Sequence, residues 1–337
     1  MNVAHAALYP RVSRIVMAIA LGLAAGATGC LPTQHPVETS TLGRAASSHD
    51  LEEVVDRAGP ITVETVVAAD WQVPLSGLLN LEHPAARKAG LVDRAEPIQV
   101  FFHAVRHPSR GLFIVDSGIE KALRDDPDRA ALRGLVASFM HRELMVFHNT
   151  TGEWLARQDQ PLAGVFLTHL HLDHVSGLPD VPRDTPIYAG RGENTERSLQ
   201  NLVVAPVIDR ELDGFGPLHE WNYEKNATGS FVGAIDVFGD QSFWALHVPG
   251  HTAGMTAYLA RTPSGPVLMV GDACHTAWGW EHQVEPGDYS SDKPTSVDSL
   301  ARLKQFVKRH PSIDVRLGHQ LLGKPSGPVQ ASGQAAR

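Results

Sequence analysis

The stretch THLHLDHVSG, residues 168–177, places His169, His171, Asp173 and His174 within six positions, directly behind the apolar run PLAGVFL. The chain has 18 histidines in 337 residues, so an isolated pair of them carries little weight. Four donors in an H-x-H-x-D-H pattern carry more, because neutral imidazole and carboxylate suit zinc-like divalent ions. A single short loop cannot wrap two ions. If the stretch is a metal loop, further ligands are expected at other loop tips.

The rest of the chain meets that expectation. ITVETVVAA (61–69), IQVFFHAV (98–105), GLFIVDSG (111–118), SFWALHVPGHTAG (242–254), PVLMVGDACH (266–275) and IDVRLGHQ (313–320) read as β-branched or aromatic strand runs. Strand after strand ends in a potential ligand: Asp116, His169, His251, Asp272 and His319. Side chains at strand ends project at one edge of a sheet, where a rigid scaffold holds them for chemistry. Between strands, DDPDRAALRGLVASFMHREL (125–144) reads as a helix with Asp126 as N-cap and Pro127 at its first position. TSVDSLARLKQFVKRH (295–310) reads as a helix opened by a Thr295/Asp298 capping box. Taken singly, His319 could be an ordinary strand-end histidine, Asp116 a turn residue and Asp272 the Asp of a GD turn. Their joint appearance favours a metal site.

With VDSG (115–118), THLHLDH (168–174), PGHTAG (249–254), GDA (271–273) and GHQ (318–320) in this order, residues 61–322 resemble the metallo-β-lactamase-fold hydrolases. The resemblance implies an α/β (α+β) four-layer αββα sandwich with a dinuclear metal site at one edge. It implies that His169, His171 and His251 hold a first metal, that Asp173, His174 and His319 hold a second, and that Asp272 bridges them. Asp116 falls where the family has a carboxylate that orients ligands. Two cations about 3.5–4 Å apart, with Zn2+ the default metal for His/Asp donors, need a bridging carboxylate and lower the pKa of a shared water. The resulting hydroxide attacks an acyl carbon, and Asp173 is the expected proton shuttle.

Within the family, a bridging Asp272 argues against the true β-lactamases. The 18 residues after His319 leave no expected substrate domain of the glyoxalase II kind. GLLNLEHP (77–84) and the run from GDACHTAWGWEH to GHQ are similar to the N-acyl homoserine lactonase branch. The resemblance therefore implies a small-molecule ester or lactone as substrate, with phosphotriester or other ester hydrolysis and a mono-iron sulfur oxygenase as alternatives. A metal-binding protein without turnover is the alternative outside catalysis. Many such lactonases carry a Tyr three residues after the bridging Asp, which hydrogen-bonds the substrate carbonyl. This chain has His275 there, expected to be a catalytic electrophile through its N–H unless it is a loop histidine without a role. Cys274 reads as a buried filler. Trp278 and Trp280 could wall an acyl-chain pocket or pack in the core.

Net charge is −8 and no dense Lys/Arg stripe exists, so nucleic acid is not an expected partner. Arg11 and Arg14 precede the apolar run IVMAIALGLAAGATG and then Cys30. A basic start, an apolar centre too short to span a bilayer and small residues at the end describe a secretory signal. ATGC (27–30) resembles a lipoprotein lipobox with Ala27 where Leu is more usual; the alternative is ordinary signal cleavage with Cys30 incidental. The expected organisation is a signal peptide over 1–30, a Thr/Ser/Pro-rich tether over 31–60, a hydrolase domain over 61–323 and a disordered tail over 324–337. The expected location is the cell envelope, with membrane contact only through the lipid anchor. With two Cys residues, Cys30 and Cys274, an acylated Cys30 leaves no disulfide. Oligomeric state is not legible from these residues.

Overall fold

The computed structural model describes residues 30–197, 200–223 and 229–322; the expected signal peptide before Cys30 and the expected disordered tail lie outside them. The strands, in chain order, are β1 (Val37–Thr39), β2 (Arg44–Ala46), β3 (Thr62–Pro74), β4 (Ala95–His107), β5 (Gly111–Val115), β6 (Val146–Phe147) and β7 (Leu162–Phe166). They continue with β8 (Ile187–Ala189), β9 (Leu218–Glu220), β10 (Ala234–Asp236), β11 (Phe243–His247), β12 (Thr256–Thr262), β13 (Gly265–Met269) and β14 (Asp314–Arg316). One sheet has the order β1-β9-β8-β7-β5-β4-β3-β6, the other β14-β13-β12-β11-β10-β2.

The two-residue period of the strands assigns every buried side chain to one of two faces. In β5, Leu112 and Ile114 join the core under the helices of the first sheet, while Phe113 and Val115 point at the second sheet. In β11 and β12, Phe243, Ala245, Tyr258 and Ala260 face the first sheet. Trp244, Leu246, Ala257 and Leu259 face Leu300, Leu303 and Phe306 of the helix Lys293–Arg309. Two sheets face to face with helices outside each make the αββα sandwich. The inner layer is aromatic: Phe113 stacks on Phe166 at 5.0 Å and Phe243 on Tyr258 at 5.7 Å. Its polar atoms are paired, since Trp221 Nε1 donates to Tyr258 Oη (3.0 Å) and that hydroxyl donates to Leu167 O (2.9 Å). The second of these bonds fixes the chain two residues before His169.

Three expectations are corrected. Residues 31–60 are not a free tether: β1 pairs in parallel with β9, β2 pairs antiparallel with β10, and Leu51, Val54 and Val55 are buried under the second sheet. Edge strands of three residues are held by backbone bonds, which leave no periodic side-chain signal in a Thr/Ser-rich stretch. The segment 125–144 is not one helix. A helix Lys121–Asp125 stops at Asp126, which is its C-cap, and a separate helix Leu135–Phe139 starts after Gly134 at φ 68°. Pro127 ends the first helix, and the Glu120 carboxylate then captures Ala131 N at 2.7 Å. The helix Lys293–Arg309 is capped by Asp292, whose Oδ1 accepts from Thr295 N (3.0 Å) and Oδ2 from Thr295 Oγ1 (2.7 Å). Pro294 fits that first turn because its missing N–H is needed by no helical bond there.

Glu211, the last residue of the helix Asn201–Glu211, is fully buried, and among the described residues neither carboxylate oxygen has a hydrogen-bond partner. Burial, reinforced by Glu120, holds its carboxyl well above the ordinary range near 4.5. The folded chain therefore keeps a proton there that the unfolded chain releases, so stability is lost as pH rises from about 4.5 upward. Glu211→Gln, neutral at every pH, should melt with the parent near pH 4.5 and above it at pH 8, by about 2–4 °C per kcal/mol recovered. Parallel melting profiles for the two proteins across that range would refute this.

Candidate metal centre

Each donor is delivered by a strand end and fixed by a second contact. At the end of β5, Asp116 takes φ 58° and turns its carboxylate to Thr168 N (2.8 Å), Thr168 Oγ1 (3.0 Å) and His174 Nδ1 (2.8 Å). Behind β7 come His169 and His171, then the short helix Leu172–Val175 carrying Asp173 and His174. Beyond β11 comes His251, whose Nδ1 lies 3.2 Å from Ser290 Oγ. Following β13, Asp272 sits in the turn Gly271–Ala273. After β14 comes His319, with Nδ1 2.9 Å from Gln99 O. Gly318 is required: a Cβ there would collide with the Asp272 carboxylate.

These side chains converge. His169, His171, His251 and Asp272 form one group of donors within 4.8 Å of one another, and Asp173, His174 and His319 form another. Asp272 Oδ2 lies 3.7 Å from His169 Nε2, 3.4 Å from both His251 and His174 Nε2, and 3.3 Å from His319 Nε2. Asp173 Oδ2 is 3.2 Å from His319 Nε2. One carboxylate therefore touches both groups, as expected of a bridge.

The donors fit a cation on energetic grounds. Among the described residues, His169 Nε2, His174 Nε2 and Asp272 Oδ1 are buried without a hydrogen-bond partner. Each such atom costs about 1–3 kcal/mol unless something else satisfies it. Burial holds His169 and His251 well below the ordinary histidine range, and His171 at about 4, so these three rings are neutral at pH 7, as metal ligation would require. For His319 burial works downward, but Asp272 and Asp173 outweigh it and raise the imidazole to about 10. His319, close to both Asp272 and Asp173, holds a proton whose place a divalent cation would take.

All seven residues expected as ligands are thus brought together. His275 is brought in with them, which corrects its expected role as an electrophile facing substrate. Its ring is 1% exposed, with Nδ1 2.8 Å from Leu78 O and Nε2 3.1 Å from Asp272 Oδ2. No ring nitrogen is left for a substrate carbonyl. Cys274 is a buried filler whose thiol burial pushes up to about 12, so it is no thiolate ligand. Trp280 and Trp71 are core residues, while Trp278 packs beside Leu75, Leu79 and Val284.

Sequence reasoning missed two residues. Glu193 is buried, takes Leu170 N (3.1 Å) and Thr252 Oγ1 (2.5 Å), and so ties the His169–His171 loop to the His251 loop. Burial raises its carboxyl to about 7. Tyr289 is 42% exposed, with its ring over Gly77 and its hydroxyl raised first by desolvation and then by the charge of Asp173. Neither residue belongs to a motif, and only the fold places them here.

A sequence profile of the Metallo-beta-lactamase superfamily matches residues 96–305, more than half of the chain. The chain belongs to this superfamily. Its relatives within the superfamily include the N-acyl homoserine lactonase AttM of Azorhizobium caulinodans, 27% identical over 235 residues, which is 68% of this chain and 84% of the relative. AttM of Agrobacterium fabrum is 29% identical over 163 residues, 46% of this chain and 57% of the relative. The chain thus spans little more than half of that second protein. A solved quorum-quenching N-acyl homoserine lactone lactonase superposes with TM-score 0.55 at 18% identity, over 82% of this chain and 98% of that one. At that identity the likeness speaks for the sandwich fold alone.

Proposed function

We propose that this superfamily member is a dinuclear metal-dependent hydrolase that opens a lactone ring, with N-acyl homoserine lactones as the leading substrate class. The observation that carries the reading is the bridge geometry, in which Asp272 Oδ2 is within 3.7 Å of imidazoles from both donor groups. The lactonase relatives supply the substrate class. His169, His171 and His251 would hold one cation, Asp173, His174 and His319 the other, with zinc the default for such donors. Bound there, a pair of divalent cations supplies an acidified water and a Lewis acid for the ester carbonyl.

The chain's own residues do the rest. Asp116 accepts a hydrogen bond from His174 Nδ1–H, which fixes the tautomer and leaves Nε2 free to ligate. The Gln99 carbonyl does the same for His319. Asp173, partly buried beside His319, would take a proton and pass it to the ring oxygen as the ester C–O bond breaks. Addition of water across that bond yields a carboxylic acid and an alcohol, and the net change above neutral pH is release of one proton. Tyr289, exposed and within electrostatic reach of Asp173, would offer a hydroxyl to the substrate.

The test is proton release from short- and long-chain acyl homoserine lactones, with metal content measured on the same sample. Ring opening with two cations per chain, abolished together with metal binding in His169→Ala, is the expected result. Two bound cations without lactone turnover would discard the lactone and leave phosphotriesters and simple esters. A single iron per chain would move the reading to the sulfur oxygenase.

A further inference from the structure

We propose that His275 is itself a metal ligand, its Nε2 joining Asp272 and His319 around one of the bound cations. This rests on the metal-centre reading above but not on the identity of the substrate.

His275 Nδ1 lies 2.8 Å from the Leu78 carbonyl, which can only accept, so Nδ1 carries the hydrogen. In the neutral ring Nε2 then has a bare lone pair, and that lone pair faces Asp272 Oδ2 at 3.1 Å. Two lone pairs at that distance repel unless a positive centre lies against both. A proton or a metal ion meets that need.

The surroundings favour the metal. His319, a ligand by the family pattern, is built the same way: Nδ1 is 2.9 Å from a backbone carbonyl, that of Gln99, and Nε2 is 3.3 Å from the same Asp272 oxygen. A carbonyl on the far nitrogen is the usual means of fixing the tautomer of a ligating histidine. The two rings run side by side, 5.6 Å apart and 19° from parallel. Their backbones are joined by bonds from Gly318 N to Cys274 O (3.1 Å) and from His319 N to His275 O (3.2 Å). The ring also lies 5.0 Å from that of His251. Asp272, His275 and His319 together satisfy the spacing of a cation-binding triad. With 1% of its surface exposed, His275 has no face to offer a substrate.

The experiment uses Zn2+ and Co2+ with the full chain and two variants, His275→Phe and His275→Gln. Metal equivalents retained against a chromogenic chelator and the visible absorption of the Co2+ form are read alongside lactone turnover. Both variants should bind one equivalent more weakly by more than the roughly 10–100-fold that loss of an outer partner costs. Their Co2+ spectrum should change while the other equivalent stays bound. Wild-type affinity for both equivalents with an unchanged Co2+ spectrum in both variants would overturn the assignment, and a fall in kcat in that case would place His275 on the substrate. Should neither variant fold, proton NMR of the wild-type Co2+ form decides. An exchangeable, paramagnetically shifted ring N–H from His275 is expected beside those of the other ligating histidines, and its absence would overturn the proposal. A wild-type chain that binds neither cation would sink the metal centre itself, an outcome distinct from loss confined to the variants.

Discussion

Asp272→Asn is expected to lose tightly bound metal and to slow turnover by at least about 10³-fold, equivalent to roughly 4 kcal/mol of transition-state stabilisation. Asparagine keeps the shape of the side chain, so its packing against Gly318 is preserved and the effect reports on charge. The charge matters because His174, His251, His275 and His319 all present Nε2 to Asp272 Oδ2 within 3.4 Å. Two divalent cations brought among these rings repel one another, and Asp272 is the anion that touches both donor groups. Removing it leaves His169, His171 and His251 as a neutral triad, and Asp173 as the remaining carboxylate beside His174 and His319. Metal analysis after gel filtration, together with initial rates on the best lactone, measures both effects. A variant that retained two equivalents and near-parental rates would show that Asp272 is not the bridge.

The second large effect is on stability. Phe166→Ala should cost about 3–5 kcal/mol, the usual range for emptying a buried phenylalanine site. That corresponds to a fall in Tm on the order of 10 °C for a domain of this size. Phe166 is fully buried between the sheets, with ring neighbours on both: Phe113 (5.0 Å) and Tyr188 (5.4 Å) from its own sheet, Phe243 (5.3 Å) and Tyr258 (5.7 Å) from the other. Strands on both sides fix these rings, so the cavity has little room to collapse. Phe166 also precedes Leu167, whose carbonyl is held by Tyr258, and the ligand loop follows at once. Weaker metal binding should therefore accompany the lower Tm. Calorimetry on chelator-treated proteins separates the two contributions, and a drop of only a degree or two would contradict a close-packed inter-sheet layer.

Errors of sequence reading fall where side chains carry no local signal. β1 and β2 were hidden in a Thr/Ser-rich stretch because short edge strands are made by backbone pairing with β9 and β10. The segment 125–144 has helical spacing, yet Pro127 and Gly134 break it, leaving Leu135 and Phe139 exposed. Position 275, three residues after Asp272, is where the resemblance to the lactonases implies a substrate contact. Its orientation is instead set by Leu78, 197 residues away.

The sequence by itself carried the candidate ligands, as strands that end in His or Asp, and motifs whose resemblance to the superfamily implied the sandwich. The tertiary structure alone decided which carboxylate touches both donor groups, which carbonyls fix the ring tautomers, that Glu193 joins two loops, and that His275 Nε2 faces Asp272. Those features depend on contacts between residues far apart in the chain. Such contacts are set by how layers pack and where backbone carbonyls end up, and neither leaves a local pattern in the order of side chains.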